Sequence, residues 1–130
     1  MPFDIDAAIK HAHDNAKPPF GIQKCAQYTR EAIEAGGVIV ANTRSAKDYG
    51  PYLWNAGFVP VTTPTPVPTE VLRRGDVVVI EGFPEHPHGH MAIYDGENWV
   101  SDFVQRELYP GPRYRNSKPR YQIFRHASQI

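Results

Sequence analysis

Proline restricts this chain more than any other residue. Thirteen of its 130 residues are proline, and apart from three near the N-terminus they fall within Pro51 to Pro68 and Pro84 to Pro119. Each one fixes φ and removes a backbone donor, so these stretches are expected to hold long loops around a modest regular scaffold. Aliphatic and aromatic residues are interleaved with the prolines, so the stretches read as long ordered loops rather than disorder. The length suits one domain, residues 1–130, built on one core.

The N-terminal half carries the helical patterns. Ile5 to Asn15 reads as a first helix, with Asp4 or Asp6 as N-cap, Ile5 and Ile9 on one face, and His11 and His13 exposed. The segment KPPFG, Lys17 to Gly21, ends it. Lys24 to Ala35 is rich in helix formers, has no proline and is stopped by Gly36 and Gly37. Val38 to Ala41 is a short apolar run that fits a strand or a loop. Ser45 as N-cap, with Asp48 three residues on, opens a third helix over Ala46 to Ala56, stopped by Gly57. Its Tyr49, Tyr52, Leu53 and Trp54 are core or groove wall. Val59 to Pro68 is an extended loop or an edge segment.

The C-terminal half reads as sheet. After the turn Arg74-Gly75-Asp76, the run Val77 to Ile80 suits a strand buried on both faces. Met91 to Tyr94, the turn Asp95 to Asn98, and Trp99 to Phe103 form a hairpin. Tyr121 to Arg125 alternates as a last strand. Helices followed by an antiparallel meander make an α+β fold.

Charge narrows the function. Lys plus Arg and Asp plus Glu number 14 each, so no net field draws the chain to nucleic acid or to an anionic membrane. No apolar run approaches the roughly 20 residues of a membrane span. The start MPFDIDAAIK lacks the basic and apolar regions of a secretory signal, so the chain is expected to be made in the cytoplasm.

The single cysteine, Cys25, excludes an internal disulfide and falls in the first turn of the second helix. Unpaired N–H groups and the helix dipole favour a thiolate there, and such surroundings bring a thiol from about 8.5 to roughly 3.5–7.5. A lone cysteine is also often a small buried hydrophobe, so a histidine must make the case. His90 opens a strand after a loop of Pro and Gly, and counting back from the hairpin turn places it across from about Asp102 or Phe103. If Asp102 holds one ring nitrogen of His90, the other faces whatever packs on that sheet face, and the candidate is the helix start with Cys25. That is the pattern of nucleophile, base and orienter. A rival lies in Glu85 to His90, where His86, His88 and His90 alternate and suit zinc if the segment is extended. Pro87 and Gly89 argue for a loop instead. A binding module without turnover, and acyl transfer to an acceptor other than water, are further alternatives.

Cys25 within KCAQYTREAIEAGG, then RRGDVVVI, GHMAIYDG and WVSDF, resemble in that order the CHAP and NlpC-type cysteine amidohydrolases and peptidases of the papain-like superfamily. The likeness is strongest to small bacterial peptidoglycan amidases, including interbacterial secretion effectors and phage lysins, and it runs from Phe20 to about Arg125. It implies a papain-like fold with N-terminal helices on an antiparallel sheet. It also implies Cys25 as nucleophile, His90 as general base, Asp102 as orienter and no cofactor. The oxyanion would be held by backbone N–H groups at the helix start, with Gln23 as a further candidate donor. The implied substrate is a peptidoglycan stem peptide, cut at the sugar-to-peptide amide or between D-glutamate and the diamino acid. The loops Asn42 to Pro51 and Tyr109 to Arg120, rich in Tyr, Arg and Lys, suit a carboxylate-bearing peptide. A murein target implies action in the periplasm or cell wall of a target bacterium, delivery by a specialised system or a holin-type release, and a cognate inhibitor protein for a toxin.

Overall fold

The computed structural model describes residues 2–19 and 21–130, so Phe20, where the resemblance begins, lies outside the described residues. Helices α1 (Ile5–Asn15) and α2 (Cys25–Ala35) pack on each other, and a 3₁₀ turn (Ala46–Asp48) precedes α3 (Gly50–Asn55). The strands are β1 (Phe58–Val61), β2 (Val77–Ile80), β3 (His90–Tyr94), β4 (Trp99–Val100), β5 (Val104–Gln105) and β6 (Tyr121–His126), with α4 (Pro112–Ser117) ahead of the last. They form one antiparallel sheet in the order β1-β6-β2-β3-β4-β5, and the fold is α+β.

Strand β2 explains the two layers. All four of its residues are buried, and alternation sends Val77 and Val79 to one face and Val78 and Ile80 to the other. The first face meets Ala8, Ala12, Ala32 and Ile33 of α1 and α2, together with Phe58, Met91, Ile93 and Phe124. The second holds Ala92, Tyr94, Trp99 and Ile123, and is covered by Tyr114 of α4. Helix α1 is capped by Asp4, whose side chain accepts the Ala7 N–H at 3.0 Å.

Several expectations need correction. The meander is incomplete, because β6 inserts between β1 and β2. The segment Val59 to Pro68 does supply the expected edge segment, as most of β1, with Pro60 tolerated where no outer neighbour needs its N–H. The helix expected over Ala46 to Ala56 is broken at Tyr49, and Ser45 provides no side-chain cap because its Oγ lies 2.6 Å from His88 Nδ1. Tyr49 and Leu53 of this region are core, whereas Trp54 is exposed. The strand Trp99 to Phe103 ends at Val100, where Ser101 N–H donates to the Phe103 carbonyl and the chain reverses into β5. Val38 to Ala41 forms no strand, and α4 occupies part of the expected Tyr109 to Arg120 loop.

Candidate active site

Three segments meet at one end of the sheet: the start of α2, the start of β3, and the β4–β5 turn. Helix α2 lies along β3, where Thr29 Oγ1 donates to the Met91 carbonyl at 3.2 Å. This sets Cys25, the first residue of α2, beside the backbone of Met91, next to His90. Cys25, His90 and Asp102 all line one cleft of about 970 Å³, with Gln23 at its rim.

Asp102 does not hold His90. The β3–β4 register pairs Ile93 with Val100 and Tyr94 with Trp99, and its continuation sets Asp102 opposite Met91 rather than His90. That one-residue parity sends the carboxylate to the other face of the sheet. There Asp102 Oδ2 accepts the N–H groups of Ile22 and Lys24 at 2.8 and 2.9 Å. The Asp102 carbonyl also accepts the Lys17 N–H at 2.6 Å. Lys24, the N-cap residue of α2, provides no side-chain cap, so this carboxylate organises the loop before the cysteine from 78 residues away. Gly21 is required by the same contact: it has φ +76°, and a Cβ there would stand 2.5 Å from Asp102 Cγ. Gln23, held between the two bonded N–H groups, takes the left-handed conformation with φ 62°.

Gln105 is the partner of His90. It pairs with Trp99 in the β4–β5 ladder, and Tyr94 pairs with Trp99 in the next, so Gln105 shares the His90 face. Its Nε2 donates to the carbonyls of Glu107 and Leu108, both at 3.0 Å. Its Oε1 therefore faces His90 Nε2 at 2.9 Å and also accepts from Ser101 Oγ at 3.1 Å. An amide oxygen only accepts, so His90 carries its proton on Nε2. The Nδ1 lone pair is left without a hydrogen-bond partner among the described residues. Tyr114 closes the site from α4, its ring edge-on to the imidazole at 5.9 Å and its hydroxyl donating to the Gly89 carbonyl at 3.0 Å. Neither residue carries a motif. Gln105 follows only from the parity of two short ladders, and Tyr114 from a helix opened by Pro112.

Both members of the pair are neutral at rest. Burial pushes the Cys25 thiol up to about 11, outweighing the backbone hydrogen bonds from Met91, Ala26 and Cys25 itself, and the Asp102 charge adds to the rise. The lowered thiol expected from the helix start alone is thus not found. Burial likewise pushes His90 down to about 4, against the Gln105 hydrogen bond and the Asp102 charge. A histidine lowered on folding gives stability that is complete above its unfolded value of about 6.5 and is lost as pH falls toward 4. Urea unfolding followed from pH 7 to 4.5 is expected to show a falling midpoint, about 2 kcal/mol of it from this group, and a flatter profile in His90→Gln.

The three histidines of the Glu85 to His90 segment diverge. His88 bonds Ser45, His86 packs against Phe83 and Tyr114, and His90 bonds Gln105. Among the described residues no group of three His, Cys, Asp or Glu side chains is placed to hold a metal ion.

The chain as a whole is similar to solved structures of type VI secretion effectors. The native effector–immunity complex Tae3–Tai3 from Ralstonia pickettii matches with a TM-score of 0.85 and 46% identity, over 95% of this chain and 99% of that one. The selenomethionine form of the complex gives 0.80 and 48%, over 90% and 97%. The chain belongs to the Tae3 family. No protein-family model matches it, and no curated protein does. Among the described residues no helix is long and apolar enough to cross a membrane.

Proposed function

We propose that this chain is a cysteine-dependent amidohydrolase of the CHAP/NlpC type that cuts an amide in the peptidoglycan stem peptide, as an antibacterial toxin. The observation that carries the reading is the fixed tautomer of His90, which leaves Nδ1 as its free lone pair, in a residue that lines the same cleft as Cys25. Cys25 is the nucleophile and His90 Nδ1 the base that takes its proton as sulfur attacks, since neither group is charged beforehand. The imidazolium gives the proton to the leaving amine, and water then hydrolyses the thioester with His90 again as base. The Cys25 N–H at the free start of α2 is one oxyanion donor, and the strained loop presents Gln23 as the second.

Gln105 takes the orienting role first expected of Asp102, and the two are separable. Gln105→Ala frees the ring and is expected to lower kcat by about 100-fold. Asp102→Asn keeps an oxygen for the Ile22 and Lys24 N–H groups and is expected to retain most activity. Asp102→Ala strands both donors and is expected to cost about 1–3 kcal/mol of stability. Turnover and urea unfolding of the three variants check the assignment.

The Ralstonia pickettii effector was solved bound to its immunity protein, which supports a cognate immunity protein for this chain, delivery by a type VI system and action on the wall of a target cell. The deciding experiment is digestion of peptidoglycan sacculi by the purified protein with mass spectrometry of the fragments. New peptide termini would identify the amide cut. Intact sacculi would remove the murein substrate.

A further inference from the structure

The charges of the cleft do not balance, although those of the chain do. Lys24, Arg30, Arg44 and Arg113 line it, against Glu85 and Asp102. Arg113 is paired with Glu85 at 2.7 Å, and the Asp102 carboxylate is occupied by backbone N–H groups. Arg44 has no acidic partner among the described residues. Arg30 gives only Nη1 to Glu34, at 3.1 Å, and its Nε is buried with no hydrogen-bond partner among the described residues. Arg44 and the remaining Nη donors of Arg30 are therefore the groups left to meet an acceptor that a ligand brings into the cleft.

Position says where that acceptor sits. Arg30 follows Cys25 by five residues on α2, about 7.5 Å along the axis. Five residues also turn the helix by about 140°, and the bond to Glu34 draws the guanidinium toward the C-terminus, so it stands further along the cleft than the thiol. An extended peptide advances about 3.3–3.6 Å per residue, so the guanidinium stands at least two residues from a carbonyl at Cys25.

We propose that Arg30 and Arg44 form a carboxylate subsite, which takes a free carboxylate of the bound peptide at least two residues from the scissile amide. The inference rests on the peptide-hydrolase reading above and assigns it a specificity. The ligand class is an acidic peptide whose carboxylate is not amidated.

The test uses two synthetic stem peptides of one sequence, with free or fully amidated carboxylates. Binding to Cys25→Ala protein is measured by calorimetry and cleavage by wild type in parallel. The free acid is expected to bind about 10- to 100-fold tighter, an advantage that shrinks with salt and falls toward unity in Arg30→Gln/Arg44→Gln. Equal binding of the two peptides by the parent protein overturns the subsite, as does a double variant that still discriminates. Selective binding with no cleavage by wild type supports the subsite and removes the hydrolase reading alone. Binding of neither peptide overturns both.

Discussion

Cys25→Ala is expected to release no fragments from sacculi under conditions where the wild type digests them, a fall in kcat of about 10⁵–10⁶-fold. The size follows from the role. In the proposed mechanism every covalent step runs through sulfur, and the oxyanion donors and the cleft left behind would bind substrate without cutting it. The fold has little reason to fail, since the residue is the first of α2 and alanine is the strongest helix former. The loss is therefore chemical, and unchanged thermal unfolding is the control. A neutral resting pair adds a second signature: iodoacetamide labelling of the free protein is expected to rise with pH toward about 11, without the plateau below pH 8 that an ion pair would give. A Cys25→Ala protein that still digests sacculi removes the thiol from the mechanism.

The largest loss of stability is expected far from the cleft. Asp76 is fully buried, and it accepts Arg125 Nε and Nη2, both at 2.8 Å, and the Arg73 N–H at 2.9 Å. The pair joins the turn before β2 to the inserted strand β6, and Arg125 Nη2 also donates to the Val71 carbonyl at 3.0 Å. Asp76→Ala leaves a buried guanidinium uncompensated and is expected to cost about 3–5 kcal/mol, roughly 10–20 °C in Tm. Replacing Arg125 by Met in the same chain removes the stranded charge, and part of the loss is expected to return. Calorimetry of the two variants measures both effects. A double variant no more stable than Asp76→Ala would assign the loss to the turn at Arg73 instead of the ion pair.

The helices and the strands between the proline stretches were legible because their periodicity is local. Ile5 to Asn15 needed only its own apolar face and Asp4, and Val77 to Ile80 only its continuous run. Pairing was not legible to the same depth. Nothing within Tyr121 to His126 says that it joins β2 rather than following β5, and Asp76 looked like a turn residue until Arg125 was beside it. The cleft shows the same division. Cys25 and His90 stand out by residue type and setting, whereas the choice between Asp102 and Gln105 turns on where a short strand ends, and strand ends are what periodicity defines least. The thiol also shows the limit of a helix-start argument. The dipole is readable from sequence, but the burial that outweighs it belongs to the packed sheet.

The Asp102 carboxylate has a consequence for when the site can assemble. Ribosomes deliver the cysteine early, but the loop around it is held by an anion that arrives 77 residues later, on a turn whose strands must first find β3. A half-made chain thus holds its thiol on an untied segment, with neither His90 nor Gln105 yet synthesised. The segment that carries the thiol thus gains its anchor only once the last third of the chain has folded.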